Sequence, residues 1–371
     1  MTIGRNSKID FLRAISMLLI VVQHYVVWGV KKSPHEVFKV DSIYTLLDYT
    51  SMEALYLLSC VGVNCFIMIT GYFLINREAF RWTGLVKLWI TTLIYSVGLY
   101  VLVSFLSGGG NLNWGTLLEC CLPIWSDQYW FITKYFGLML IAPFLSSIAS
   151  RLDKQSYLIF LVIMFCMGFM IPYGRIFAGG MSLFWMTFVF LTGGYVRLYS
   201  MPNILTNHTI FLFCALLCVY TFAVLGMEVV KNTDFSGMSG LYKLHSFASD
   251  SPIFFLSLVL FIWASKESSV GRIFIYKVCV RIAPYILAVY LIHMNRFFYP
   301  FIWDIIIPDN YCLPVALHAL ITCTCIFLLC IGIDYMRDLC FKLLGINKLI
   351  ETFTSRIKFK KVNYKKNEER I

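Results

Sequence analysis

The chain has 371 residues, of which 59% are hydrophobic and only 14% charged, with a net charge of +11 and a mean hydropathy of +0.76. Roughly a quarter of the residues of a water-soluble domain are charged, so these figures exclude a soluble enzyme or binding module and predict a polytopic membrane protein. The surplus of cations does not point to nucleic acid, because it gathers on no hydrophilic face, and cytoplasmic loops of membrane proteins are basic in any case.

A spanning helix needs about 20 apolar residues. Ten stretches qualify, near 10–30, 52–75, 84–107, 129–149, 157–173, 181–199, 208–229, 252–266, 282–301 and 314–344. The fold class expected is therefore an all-α integral membrane protein, with about ten transmembrane helices around a polar cavity. Residues 1–350 form its transmembrane domain and residues 351–371 a basic tail. An even number of spans puts both termini on one side. Lys and Arg are denser in the loops that would share that side, such as those with Arg77, Arg81, Arg151 and Lys154, and residues 107–128 hold none. The positive-inside rule then predicts cytoplasmic termini, with the tail lying on anionic membrane lipid.

The first stretch opens Ser7-Lys8-Ile9-Asp10 and carries Arg13 and His24. Ser7 and Asp10 suit a helix start. An ionisable residue within a span is a functional candidate, although Arg13 also reads as a side chain snorkelling to headgroups. Eleven residues separate Arg13 from His24. On a helix that is three turns plus about 20°, so both lie on one stripe, about 16 Å apart along the axis. After the second stretch come Arg77, Arg81 and Lys87, either positive-inside residues or a site for phosphates. Asp127, Tyr129 and Trp130 open the fourth stretch. Aromatics there read as the interfacial belt or as a platform for a sugar ring. His293, two-thirds along the ninth stretch, is expected at the depth of His24. Two histidines at one depth predict a polar cavity, with a hydrogen-bonded packing histidine as the alternative reading of His24. The thirteen cysteines form no CxxC pair and no Cys/His ligand spacing, so no metal is expected.

Four segments, in order, resemble the membrane-bound acyltransferase-3 family. They are Ile9–Ile15 with Arg13 and His24, Gly62–Phe73, Gln128–Phe144, and Tyr290-Leu291-Ile292-His293. The family includes O-acetyltransferases of bacterial surface polysaccharides and lipopolysaccharide. The resemblance implies transfer of an acetyl group from acetyl-CoA, used as a substrate with no tightly bound cofactor, to a hydroxyl of a cell-surface glycan or its lipid-linked precursor. It implies a multi-pass location in the bacterial plasma membrane. Arg13 and His24 carry over as the essential pair. Arg13, Arg77, Arg81 and Lys87 become candidates for the donor's phosphates, and His293, Tyr129, Trp130 and Asp127 for the acceptor. Many members have a tighter Arg-x-x-Arg cluster than Arg77, Arg81 and Lys87 make here. Without the resemblance, a transporter or flippase with a His-lined cavity would be the reading of so many spans, although no paired broken helices of the transporter kind are visible.

Overall fold

The computed structural model describes residues 6–30, 51–52, 54–77, 79–108, 112–170, 182–199, 201–232, 239–266, 274–306 and 314–356. Among these the regular structure is helical, with no strand. Six helices are long and apolar enough to cross a membrane: Ser7–Gly29, Ala54–Leu74, Trp82–Leu106, Trp130–Ala149, Phe274–His293 and Val315–Leu343. Four shorter apolar helices accompany them: Lys154–Gly168, Leu183–Leu198, Thr209–Phe222 and Pro252–Ser265. Most expected stretches thus coincide with helices, and the protein is a multi-pass membrane protein.

Helix α1 runs Ser7–His24 and continues as a π-helix over Tyr25–Val30. Its cap is Asn6, one residue before the expected start: the Asn6 side chain accepts from the Lys8 N–H at 3.0 Å. Helix α2 (Val61–Leu74) runs antiparallel to α1. Gln23 reaches Cys60 just before its start, and Gly62 lies against the Ser16 carbonyl. Helix α3 is Trp82–Leu106, the short α4 is Trp114–Cys121, α5 is Trp130–Ala149 and α6 is Lys154–Met170. Helix α7, Leu183–Leu198, is buried almost all round from Trp185 to Tyr195, as expected of a helix enclosed by others. The chain then forms α8 (Asn203–Asn207), α9 (Thr209–Asn232) and α10 (Ser239–Ser265). Helix α10 begins well before the expected 252, because the polar run through His245 and Ser251 lowers hydropathy without ending the helix.

The ninth stretch departs most from expectation. Helix α11 (Phe274–Ile282), a 3₁₀ turn at Ala283–Tyr285 and α12 (Ile286–His293) form one span, which ends at His293 rather than at 301. Two residues explain the stop. The Asn295 side chain accepts from the Phe297 N–H at 3.0 Å, which competes with helical bonding. Pro300 then sits in the first turn of a separate helix, α13 (Tyr299–Ile306), where its missing N–H is tolerated. Helix α14 is Val315–Leu343. The positive-φ Gly345 (φ 70°) turns the chain into α15, Ile346–Ser355. Helix α15 runs across residue 350, the expected edge of the transmembrane domain, and residues 357–371 of the expected tail lie outside the described residues.

Helix α1 is central: it packs on α2, α10, α11, α12 and α14. The α2–α7 contact is the most intimate in the bundle, because two glycines let the backbones touch. A Cβ at Gly71 would lie 1.9 Å from the Phe190 carbonyl oxygen, and one at Gly193 would lie 2.2 Å from that of Met68. Apolar surface gives membrane helices little drive to associate, so such close backbone packing is what holds them together.

Candidate functional site

The last residue of α1 meets the last residue of α12. His24 Nδ1 and His293 Nε2 are 2.8 Å apart, and the rings are 5.0 Å apart between centroids. At 1.5 Å per residue, His24 stands about 26 Å along α1 from Ser7, far from the bundle end that holds Arg13. His293 is fully buried, whereas His24 keeps part of its surface accessible.

The hydrogen-bond network fixes the tautomers. His293 Nδ1 lies 2.5 Å from the Val289 carbonyl oxygen, which can only accept. In the neutral pair His293 therefore carries its hydrogen on Nδ1, and its Nε2 is an acceptor. His24 must then donate from Nδ1, and its Nε2 is left with a lone pair. One histidine orients the other, like the orienting partner in a nucleophile–base–orienter arrangement. The π-helix that starts at Tyr25 follows directly, and π segments within α-helices recur at functional sites.

A shell of aromatic and amide groups holds the pair. The Tyr290 ring lies 6.4 Å from His24 and 5.6 Å from Phe131. The Asn295 side chain donates to the Tyr129 hydroxyl at 2.8 Å and to the Tyr95 carbonyl at 3.3 Å. The Tyr129 hydroxyl in turn donates to the Leu291 carbonyl at 3.1 Å. Beside His24, the Tyr25 hydroxyl is 2.7 Å from His318 Nδ1 on α14.

Several expected acceptor contacts take other places. Tyr129 is buried and spent on bracing α12, so its ring offers no face to a sugar. His293 stands behind His24 with both ring nitrogens engaged. Trp130 is half-buried, edge-on to Phe131 at 5.9 Å. Asp127 is exposed, in the left-handed region (φ 47°), and paired with Lys134 at 2.8 Å.

Towards the opposite end of α1, Arg13 donates to the buried Asp10 at 2.9 Å. Arg13 and Arg81 both lie within electrostatic reach of Tyr135, whose hydroxyl is 3.3 Å from Thr70 Oγ1. Arg197 donates to the Tyr72 hydroxyl at 3.0 Å, with its guanidinium 4.9 Å above that ring. Arg77 is exposed in the turn after α2. Lys87 is turned away from this group and pairs with Glu351 on α15 at 2.9 Å. Six residues separate it from Arg81, about 240° around the helix. Arg13 and Arg81 thus share a neighbour in Tyr135, whereas Lys87 is held by Glu351.

Sequence reasoning missed Tyr290, Asn295, His318, Tyr135 and Arg197. For Tyr290 a signal existed: it precedes His293 by three residues and so shares its helix face. The others are brought in by contacts between distant segments. Among the described residues no group of three or more His, Cys, Asp or Glu side chains is placed to hold a metal ion.

No curated protein and no solved structure matches the chain. The sequence model of an acyltransferase domain, Acyl_transf_3, matches residues 6–335, which include α1 with Arg13 and His24, the His293 helix and most of α14. The partly accessible histidine with a free nitrogen, oriented by a buried one, therefore lies within that domain, and the chain belongs to the acyltransferase-3 family.

Proposed function

We propose that this protein is a membrane O-acyltransferase that moves an acetyl group from acetyl-CoA to a hydroxyl of a cell-surface glycan or its lipid-linked precursor. In this reading ten helices cross the bacterial plasma membrane around a polar cavity, with both termini cytoplasmic. The observation that carries it is the 2.8 Å His24–His293 pair inside an acyltransferase domain. A transporter would also tolerate buried histidines, but that domain match favours chemistry over passage.

The donor's phosphates would meet Arg13, with Arg81, Arg77 and Arg197 as further candidates. The pantetheine arm would extend the thioester along α1 towards His24, a distance of about 16 Å. The His24 Nε2 lone pair then takes the proton of the acceptor hydroxyl. The oxygen attacks the thioester carbonyl, the C–S bond breaks, and the proton passes to the departing thiolate. The same nitrogen would serve if the acyl group rested on His24 before transfer. His293 accepts the His24 Nδ1–H throughout and steadies the imidazolium that forms.

Purified protein supplied with labelled acetyl-CoA, longer acyl-CoAs and candidate glycans tests the reading. Arg13→Ala is expected to weaken acetyl-CoA binding by about 10- to 100-fold, the worth of a hydrogen bond to a charged group. Arg13→Lys should retain part of the affinity, since an ammonium lacks the bidentate fork but still pairs with Asp10. Unchanged donor affinity in Arg13→Ala removes Arg13 from this role, and absence of transfer with every donor and glycan sinks the function.

A further inference from the structure

A cavity of about 310 Å³ lies on another side of the bundle, where α3 begins and α14 ends. One part of its wall is polar: Lys87, Arg337, Asp338 and Asn347. Another part is apolar, with Leu88, Leu287, Ala288 and Phe341. At its back Asp334, 1% exposed, is held by the Tyr95 hydroxyl at 2.8 Å and by Arg337 at 2.5 and 3.2 Å. That leaves Arg337 with N–H groups beyond those on Asp334, and Lys87 with donors beyond the one on Glu351.

Helix α15 sets the level of this cavity in the membrane. One face packs on α3 through buried Ile350 and Thr354, with Thr354 2.7 Å from Thr83. Leu349 and Phe353 are 68% and 63% exposed, and Lys348 and Arg356 stand beside them. Exposed apolar side chains flanked by cations mark a helix that lies in a membrane interface, with its apolar face among acyl chains. The cavity opens beside that helix. The cavity's own charges balance, Lys87 and Arg337 against Asp334 and Asp338, with Glu351 and Lys342 paired to Lys87 and Asp338; the excess positive charge of this region lies on α15, in the exposed Lys348 and Arg356.

We propose that this cavity binds one anionic glycerophospholipid, its phosphate on Lys87 and Arg337 and the start of an acyl chain against Leu88 and Leu287. The unspent donors of Lys87 and Arg337 suit a phosphate, the two further cations of α15, Lys348 and Arg356, favour an anionic headgroup over a zwitterionic one, and the change from polar to apolar lining matches a headgroup joined to a chain. The site is separate from the His24–His293 pair and does not depend on what that pair acylates.

The test is native mass spectrometry of the detergent-purified full chain, titrated with phosphatidylglycerol and, in parallel, phosphatidylcholine. Wild type should bind one phosphatidylglycerol about tenfold more tightly than phosphatidylcholine. Lys87→Ala should lower that affinity about tenfold, as loss of a charge-assisted bond does. Gly84→Leu gives a second variant that keeps the fold. Gly84 lines the cavity, and an added Cβ there meets nothing closer than the Arg81 Cβ at 3.9 Å, so the branch point of a larger side chain has room beside that space. It should block phosphatidylglycerol while the protein melts no lower than wild type. Equal affinity for the two lipids, or wild-type binding in both variants, would mean ordinary boundary lipid and overturn the proposal. Competitive displacement of phosphatidylglycerol by CoA would overturn it too, since the cavity would then be a site for a soluble phosphate ligand.

Discussion

His24→Gln should insert, fold and bind donor like wild type, yet transfer acyl groups at about 1% of the wild-type rate or less, because removal of a general base costs about 10²- to 10⁴-fold. The amide of Gln keeps a hydrogen bond towards His293 but has no lone-pair nitrogen to take a proton. Position 293 supplies the companion test. His293→Gln still offers a carbonyl oxygen to the His24 Nδ1–H, whereas His293→Leu offers nothing and frees the His24 ring to turn. The Leu variant is therefore expected to lose kcat about 10- to 100-fold more than the Gln variant, with donor KM unchanged in both. A purely structural His293 would make Gln, the polar residue in a buried place, the worse of the two. Near-normal transfer by His24→Gln would end the catalytic reading of this pair.

The second large effect lies in the fold. Gly71→Ala and Gly193→Ala each push a methyl group into a main-chain carbonyl across the α2–α7 interface, at 1.9 and 2.2 Å. A backbone atom cannot retreat by changing rotamer, so the helices must part. Each substitution is expected to cost about 3 kcal/mol or more, at the upper end of overpacking penalties. Gly98→Ala and Gly332→Ala are the matched controls. Both sit within helices with no atom near the added methyl group, and each should be neutral or stabilising by up to about 1 kcal/mol. Thermal unfolding in detergent, followed by loss of the monodisperse peak, ranks the four. Midpoints for the first two within about 2 °C of the controls would show that α2 and α7 are not held by this contact.

The parts of this molecule that could be read from the sequence are those that hydropathy and one-helix geometry record. The spans emerged because lipid demands long apolar runs. Arg13 and His24 emerged because each interrupts one, and their spacing could be converted to a shared stripe. What escaped depends on side chains meeting across the fold. The stop after His293 is set by Asn295, whose partners Tyr95 and Tyr129 are 200 and 166 residues away. Tyr129 reads as a belt aromatic from its place at a helix start, and only the bond to Leu291 reveals it as a buried brace. Lys87 resembles its neighbours Arg77 and Arg81 in charge, yet Glu351, 264 residues on, claims it for another face. The depth match between His24 and His293 was legible, but the direction of their hydrogen bond was not, because that rests on the Val289 carbonyl.

That carbonyl also gives the histidine pair an insulating property. A proton wire needs every link to accept a proton on one side and release one on the other. The chain from His24 through His293 ends on Val289, an amide oxygen with no proton to pass on. A proton taken up at His24 therefore has no onward path through this pair and must leave from the nitrogen it reached. A membrane enzyme can in this way cycle a proton on and off one histidine without opening a conducting path through its partner.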